Sequence, residues 1–65
     1  SNGSVVNSYA DMAQVLAATG RRDEAVAALR VAVDRGFRNL ERKGYAALAT
    51  DPRFKALVAK AARQQ

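Results

Sequence analysis

Apolar residues recur along this chain with helical spacing, and no stretch alternates with the period of two that a strand would show. Tyr9, Met12, Ala13 and Leu16 stand at i, i+3, i+4 and i+7, which predicts a first helix, capped by Ser4 or Asn7 and closed by Gly20. Its other side carries Asp11, Gln14 and Ala18, and Asp11 is the one charged residue between Val5 and Thr19. A second helix is expected from Arg22–Asp23 to Gly36, opened by Asp23 and Glu24, where the helix dipole favours negative charge. Ala25, Ala28, Leu29 and Ala32 form its main apolar stripe and Val26 and Val33 a flanking one. A helix apolar on two sides belongs between neighbours.

Beyond Gly36 the pattern breaks for about a dozen residues. Phe37, Leu40, Tyr45 and Leu48 stand as anchors among charged residues, and two short helical turns are expected, at 39–43 and 45–48. Thr50-Asp51-Pro52 then marks a new start, a capping side chain followed by Pro in the first turn. Phe54, Leu57, Val58 and Ala61 follow in the clearest amphipathic stripe of the sequence, with Lys55, Lys60, Arg63 and Gln64 placed for solvent. The fold class is all-α.

Composition narrows what such a chain can do. Among 65 residues there are fifteen Ala and only seventeen larger apolar side chains. Domains this small bury only about 60% of the surface exposed on unfolding, and below roughly 70–80 residues they need a staple or very regular packing. With no Cys and no His, a disulfide, a zinc site and Ser-His or Cys-His catalysis are all excluded. No cofactor or metal is expected. No apolar run reaches the roughly 20 residues of a membrane span and no signal-peptide pattern is present, so a membrane partner is not expected. The lack of Cys fits a cytoplasmic setting. Ser1-Asn2-Gly3 reads as a protease-cleavage remnant and is set apart from the fold.

The spacing of small and large residues from Val6 to Asn39 resembles one tetratricopeptide repeat, a helix–turn–helix unit of about 34 residues. Tyr9 sits where that family favours Trp, Met12 where it favours Leu, and Ala13 where it needs a small residue. Gly20 matches its turn, Ala25 its near-obligatory small residue, and Leu29 and Ala32 follow in register. Leu16 departs from the usual aromatic, and Gly36-Phe37 stands where the repeat often ends in Pro. The remainder, with Asp51-Pro52-Arg53-Phe54 and Leu57, resembles the segment that closes many bacterial arrays of this repeat. The resemblance implies residues 4–39 as a helical hairpin and 40–65 as a connecting loop with a capping helix, one compact domain. It also implies that the first helix presents Asn7, Ala10, Gln14 and Ala17 on the surface that grips peptides. The Lys/Arg/Asn clamp of chaperone-binding members has no counterpart here.

Read together, these features indicate a non-catalytic protein–protein interaction or assembly module. Its expected partner is a protein: a second copy, repeats of a parent protein, or a peptide. Self-association into a homo-oligomer is expected because a lone repeat leaves an apolar face open and at least three repeats are usual. Asn7, Ala10, Gln14, Ala17 and Ala18 are the candidate binding face, with Val5 alongside. The alternative rests on the net charge of +5 and on Arg35, Arg38, Arg42 and Lys43, a basic patch for nucleic acid or an acidic surface. Asp34 and Glu41 interrupt that cluster and no nucleic-acid signature accompanies it, so nucleic acid ranks below protein as partner. A third reading makes the domain an accessory to a larger enzyme.

Overall fold

A computed structural model describes residues 2–64, and the side chains of residues 4–64. Helix α1 spans Asn2–Ala18, α2 Arg22–Asp34 and α3 Pro52–Arg63, with a six-residue 3₁₀ helix, η1, at Lys43–Leu48. No strand occurs among the described residues. Helix α1 starts upstream of both expected caps, and the Ser4 carbonyl, already inside it, accepts a bond from the Ser8 hydroxyl. Both α1 and α2 end in the same closure. The Arg21 amide donates to Leu16 and the Gly20 amide to Ala17, while the Phe37 amide donates to Ala32 and the Gly36 amide to Val33. Gly20 and Gly36 hold φ of 80° and 113° there. The first closure turns the chain back on itself, so α2 packs antiparallel against α1.

The pairing is close because the meeting surfaces are small. Ala10, Ala13 and Ala17 of α1 and Ala25, Ala28, Leu29 and Ala32 of α2 are all buried, and Val26 and Val33 are buried on α2's flank as expected. The line of α1 that points inward is therefore Val6, Ala10, Ala13 and Ala17, one residue round from the expected Tyr9, Met12, Ala13 and Leu16 stripe. Of that stripe only Ala13 is fully buried; Tyr9 and Leu16 are half-buried and Met12 is 46% exposed.

The segment after Gly36 explains the rotation. Phe37, Leu40, Tyr45 and Leu48 are buried together, and η1 packs against α1. The Tyr45 hydroxyl donates to the Ala10 carbonyl at 2.8 Å, its ring meets Phe37 edge-on at 6.3 Å, and the Phe54 ring lies tilted against it at 6.2 Å. Burial pushes the Tyr45 phenol above its ordinary value of 10.0, with nearby Arg42 opposing that shift. Gly44 passes so close to α1 that a Cβ there would fall 2.0 Å from Gln14 Cγ. Only one of the two expected short helices forms. Residues 39–42 are turn and extended chain, with Leu40 buried while Arg38 reaches back to Val33 of α2 and Arg42 to Asp11 of α1.

Helix α3 begins as its sequence predicts. Asp51 caps it by accepting from the Arg53 amide at 2.8 Å, and Pro52 occupies the first helical position. The Arg53 guanidinium then binds both Asp51, at 2.8 Å, and Asp23 at the start of α2, at 2.9 Å. Lys60 pairs with Asp34 at the end of α2, rather than pointing to solvent alone. These two ties join like ends, so α3 runs in the same direction as α2, with residues 37–51 carrying the chain back. The hydrogen bonds and charge of Arg53 lower the Asp51 carboxyl to about 2, and the same partners raise Arg53. Phe54, Leu57 and Ala61 are buried, whereas Val58 stays 42% exposed, so the lid stripe is narrower than its spacing implies.

Candidate functional site

The expected binding face on α1 is divided by the fold. Ala10 and Ala17 are buried in the core, covered by α2 and by the segment containing η1. Gln14 is half-buried and its side-chain oxygen accepts from Arg42 at 3.3 Å. Asn7 and Ala18 are exposed. The correction has a simple cause: the surface that would grip a peptide in an array is filled here by the chain's own residues 37–48.

What stays open is the neighbouring side of α1. Among the described residues the exposed large hydrophobic side chains are Val5, Met12, Val15 and Val58, and three of these four lie there. Val5, Tyr9, Met12, Leu16 and Thr19 recur at intervals of four, three, four and three, the spacing by which one helix meets another along a seam. Tyr9, Met12 and Leu16 form one wall of a shallow groove whose other wall is Glu24, Ala27, Ala28 and Val31 of α2. A second hollow, lined by Ser4, Val5, Ser8, Tyr9 and Met12, continues it towards the start of α1. The seam itself carries no charged side chain. Charges flank it instead, at opposite ends: Glu24 beside Leu16, held by Arg21 at 2.6 Å, and Arg35, whose guanidinium lies 5.9 Å from the Tyr9 ring centroid.

The sequence contains the signal for this groove, since α1 carries two adjacent apolar lines, one small and one large. Choosing which line turns inward requires knowing that Tyr45 and Gly44 fold back onto Ala10 and Gln14, and no local spacing encodes that.

The four basic candidates differ in their contacts. Arg35 lies over Tyr9. Arg38 donates to the carbonyls of Phe37 and Val33, at 2.8 and 3.2 Å, and to the Gln64 side chain at 3.3 Å. Arg42 pairs with Asp11 at 2.9 Å and stacks 5.1 Å from the Phe37 ring centroid. Lys43 is exposed. Three of the four are therefore engaged within the chain, Arg35 and Arg42 against α1 and Arg38 and Arg42 around Phe37. Among the described residues no three metal-ligating side chains come together, and no helix is long and apolar enough to cross a membrane.

No protein-family model, curated protein or solved structure matches this chain.

Proposed function

We propose that this chain is a non-catalytic docking module, a hairpin of tetratricopeptide-repeat type that receives a helix of another protein in the groove between α1 and α2. The observation that carries the reading is the seam on which exposed Val5 and Met12 stand beside half-buried Tyr9 and Leu16, on a helix whose opposite side is already covered by its own chain. Contiguous exposed apolar surface of this kind marks interaction sites. The groove between two packed helices, with residues at alternating intervals of three and four, suits a third helix. The small residues at 13, 25 and 32 that carried the family resemblance are the ones that bring α1 and α2 together, which supports the repeat-type assignment.

The test is a photo-reactive amino acid placed at Val5 or Met12 and, as control, at exposed Lys55 on α3, in cells that make the protein naturally. Covalent protein adducts at the two groove positions and none at Lys55 are expected. Their absence from both groove positions overturns the reading.

A further inference from the structure

Resting on that docking reading, we infer that the occupant of the groove is an acidic amphipathic helix, apolar on the side that enters and carrying carboxylates on the flank nearest α2. Charge selects it. The chain has eleven basic and six acidic residues, a net +5. Five of the six carboxylates are held by the chain's own cations: Asp11 by Arg42, Asp23 and Asp51 by Arg53, Glu24 by Arg21, and Asp34 by Lys60. The sixth, Glu41, lies in the segment before η1 and does not line the groove. Acidic charge beside the groove is therefore already neutralised within the chain.

Basic charge there is not. Two cations of α2, Arg30 and Arg35, have no carboxylate partner among the described residues. Arg35 lies against the Tyr9 ring, 5.9 Å from its centroid, at one end of the groove. Arg30 is exposed and stands three residues on from Ala27 of the groove wall, so the two are neighbours on the helix surface. The α1 side offers charge of neither sign, since between Val5 and Thr19 only Asp11 is charged and Arg42 holds it. Unpaired charge beside this groove is thus all positive, and all of it stands on α2. Arg30 and Arg35 are separated by about 7.5 Å along the helix axis, and side chains at i and i+4 of a partner helix by about 6 Å. Carboxylates one turn apart on the partner can meet both.

Other occupants fit less well. A second copy brings its own +5 and meets repulsion over most of its surface. A nucleic acid backbone would find two cations beside a groove whose lining is mostly apolar, and phosphates gain nothing from Tyr9, Met12 or Leu16. An acidic amphipathic helix uses both parts, setting its apolar side chains on those three residues and its carboxylates on Arg30 and Arg35. The groove is shallow, so the complex is weak and readily reversed, and the rim cations supply selectivity more than affinity.

The test is a fluorescence-polarisation titration of the full chain with a labelled synthetic helical peptide, Leu at alternating intervals of three and four and Glu along one flank. Two further peptides serve as controls, one with Lys in place of Glu and one with the acidic sequence scrambled. The acidic amphipathic peptide should bind about tenfold or more tighter than either, a difference that general attraction to a +5 chain does not produce. Arg35→Gln should weaken it by about three- to fivefold, the range of an exposed ion pair, and Lys55→Gln, the same change of charge on α3, should leave it unaltered. Met12→Gln should weaken it by about fivefold or more without change of net charge. Helical circular dichroism should be retained in all three variants, because all three residues are exposed. Equal binding of the Lys-flanked or scrambled peptide, or equal loss in Arg35→Gln and Lys55→Gln, overturns the inference. The photo-adducts at Val5 and Met12 separate it from the docking reading. A cross-linked partner segment that is acidic and amphipathic supports both; a partner segment of any other kind, a second copy of this chain included, ends the inference and leaves the docking reading standing. No adduct at either position ends both.

Discussion

Removing the Tyr45 hydroxyl, and then its ring, tests whether a residue in an irregular segment organises the whole fold. The hydroxyl donates to the Ala10 carbonyl across 35 residues of sequence, in a fully buried setting. Tyr45→Phe keeps the ring between Phe37 and Phe54 and deletes one hydrogen bond, whose net contribution is about 0.5–1.5 kcal/mol. The cost stays at that level because the Ala10 carbonyl lies inside α1, where the ordinary helical bond remains available to it. Tyr45→Ala deletes the ring as well and opens a cavity between two other aromatic side chains, a loss of about 3–5 kcal/mol. Domains are stable by roughly 0.05–0.15 kcal/mol per residue, or about 3–10 kcal/mol at this length, so the first variant should fold with a lowered melting point and the second should lose about half or more of its stability. At about 4–8 °C per kcal/mol for a domain of this size, the Tyr45→Phe shift is well within reach of a thermal melt followed by circular dichroism. A Tyr45→Phe variant as stable as the parent would show that the hydroxyl does not hold η1 to α1. A Tyr45→Ala variant that melts with the parent would refute the placement of residues 37–48 in the core.

The phenol supplies a second prediction. Its folded value lies above the unfolded 10.0, so the stability it contributes is complete below pH 10.0 and is lost as pH rises through the folded value; a spectrophotometric base titration should show a phenol ionising above 10.0 that is absent from Tyr45→Phe, and a Tyr45→Phe variant with an unchanged titration curve above 10.0 would contradict the burial. Asp51 behaves in the opposite sense, its carboxyl lowered to about 2, so its contribution is present above its ordinary 3.8 and is lost as pH falls towards 2. Asp51→Asn should therefore flatten the pH dependence of the melting point in that acid window, and an unchanged slope would count against the Arg53 clasp. Gly44→Ala drives a methyl group into Gln14 and should cost about 1–3 kcal/mol. Adding Gln14→Ala should recover most of that loss in a urea melt, and no recovery would mean that the two residues are not in contact.

Much of this architecture can be read from punctuation. Gly20, Gly36 and Asp51-Pro52 each terminate or open a helix by a local mechanism, and the ends of α2 and the start of α3 fall where those residues place them. The buried face of α2 is equally legible, since all six of its apolar stripe residues are inside. Helix α1 is different. Its small and large apolar lines are adjacent, both have helical spacing, and the choice between them is made by Tyr45 and Gly44, thirty or more residues from the α1 positions they meet. The same long-range packing buries Ala10 and Ala17, draws Arg42 onto Asp11 and Gln14, and removes most of the expected binding face from solvent. Arg38 is opaque for a related reason, because its partners are backbone carbonyls and the side chain of Gln64, which carry no charge pattern to find.

The parallel course of α2 and α3 has a topological result. Arg35 at the end of α2 lies over Tyr9 in the N-terminal half of α1, and Arg38 just beyond it holds Gln64 at the end of α3. The two termini of the folded unit thus leave from one pole, and the Gly20 turn occupies the other. Polypeptide fused before α1 or after α3 would extend from a single side, an arrangement suited to insertion within a host loop or to circular permutation opened at the Gly20 turn.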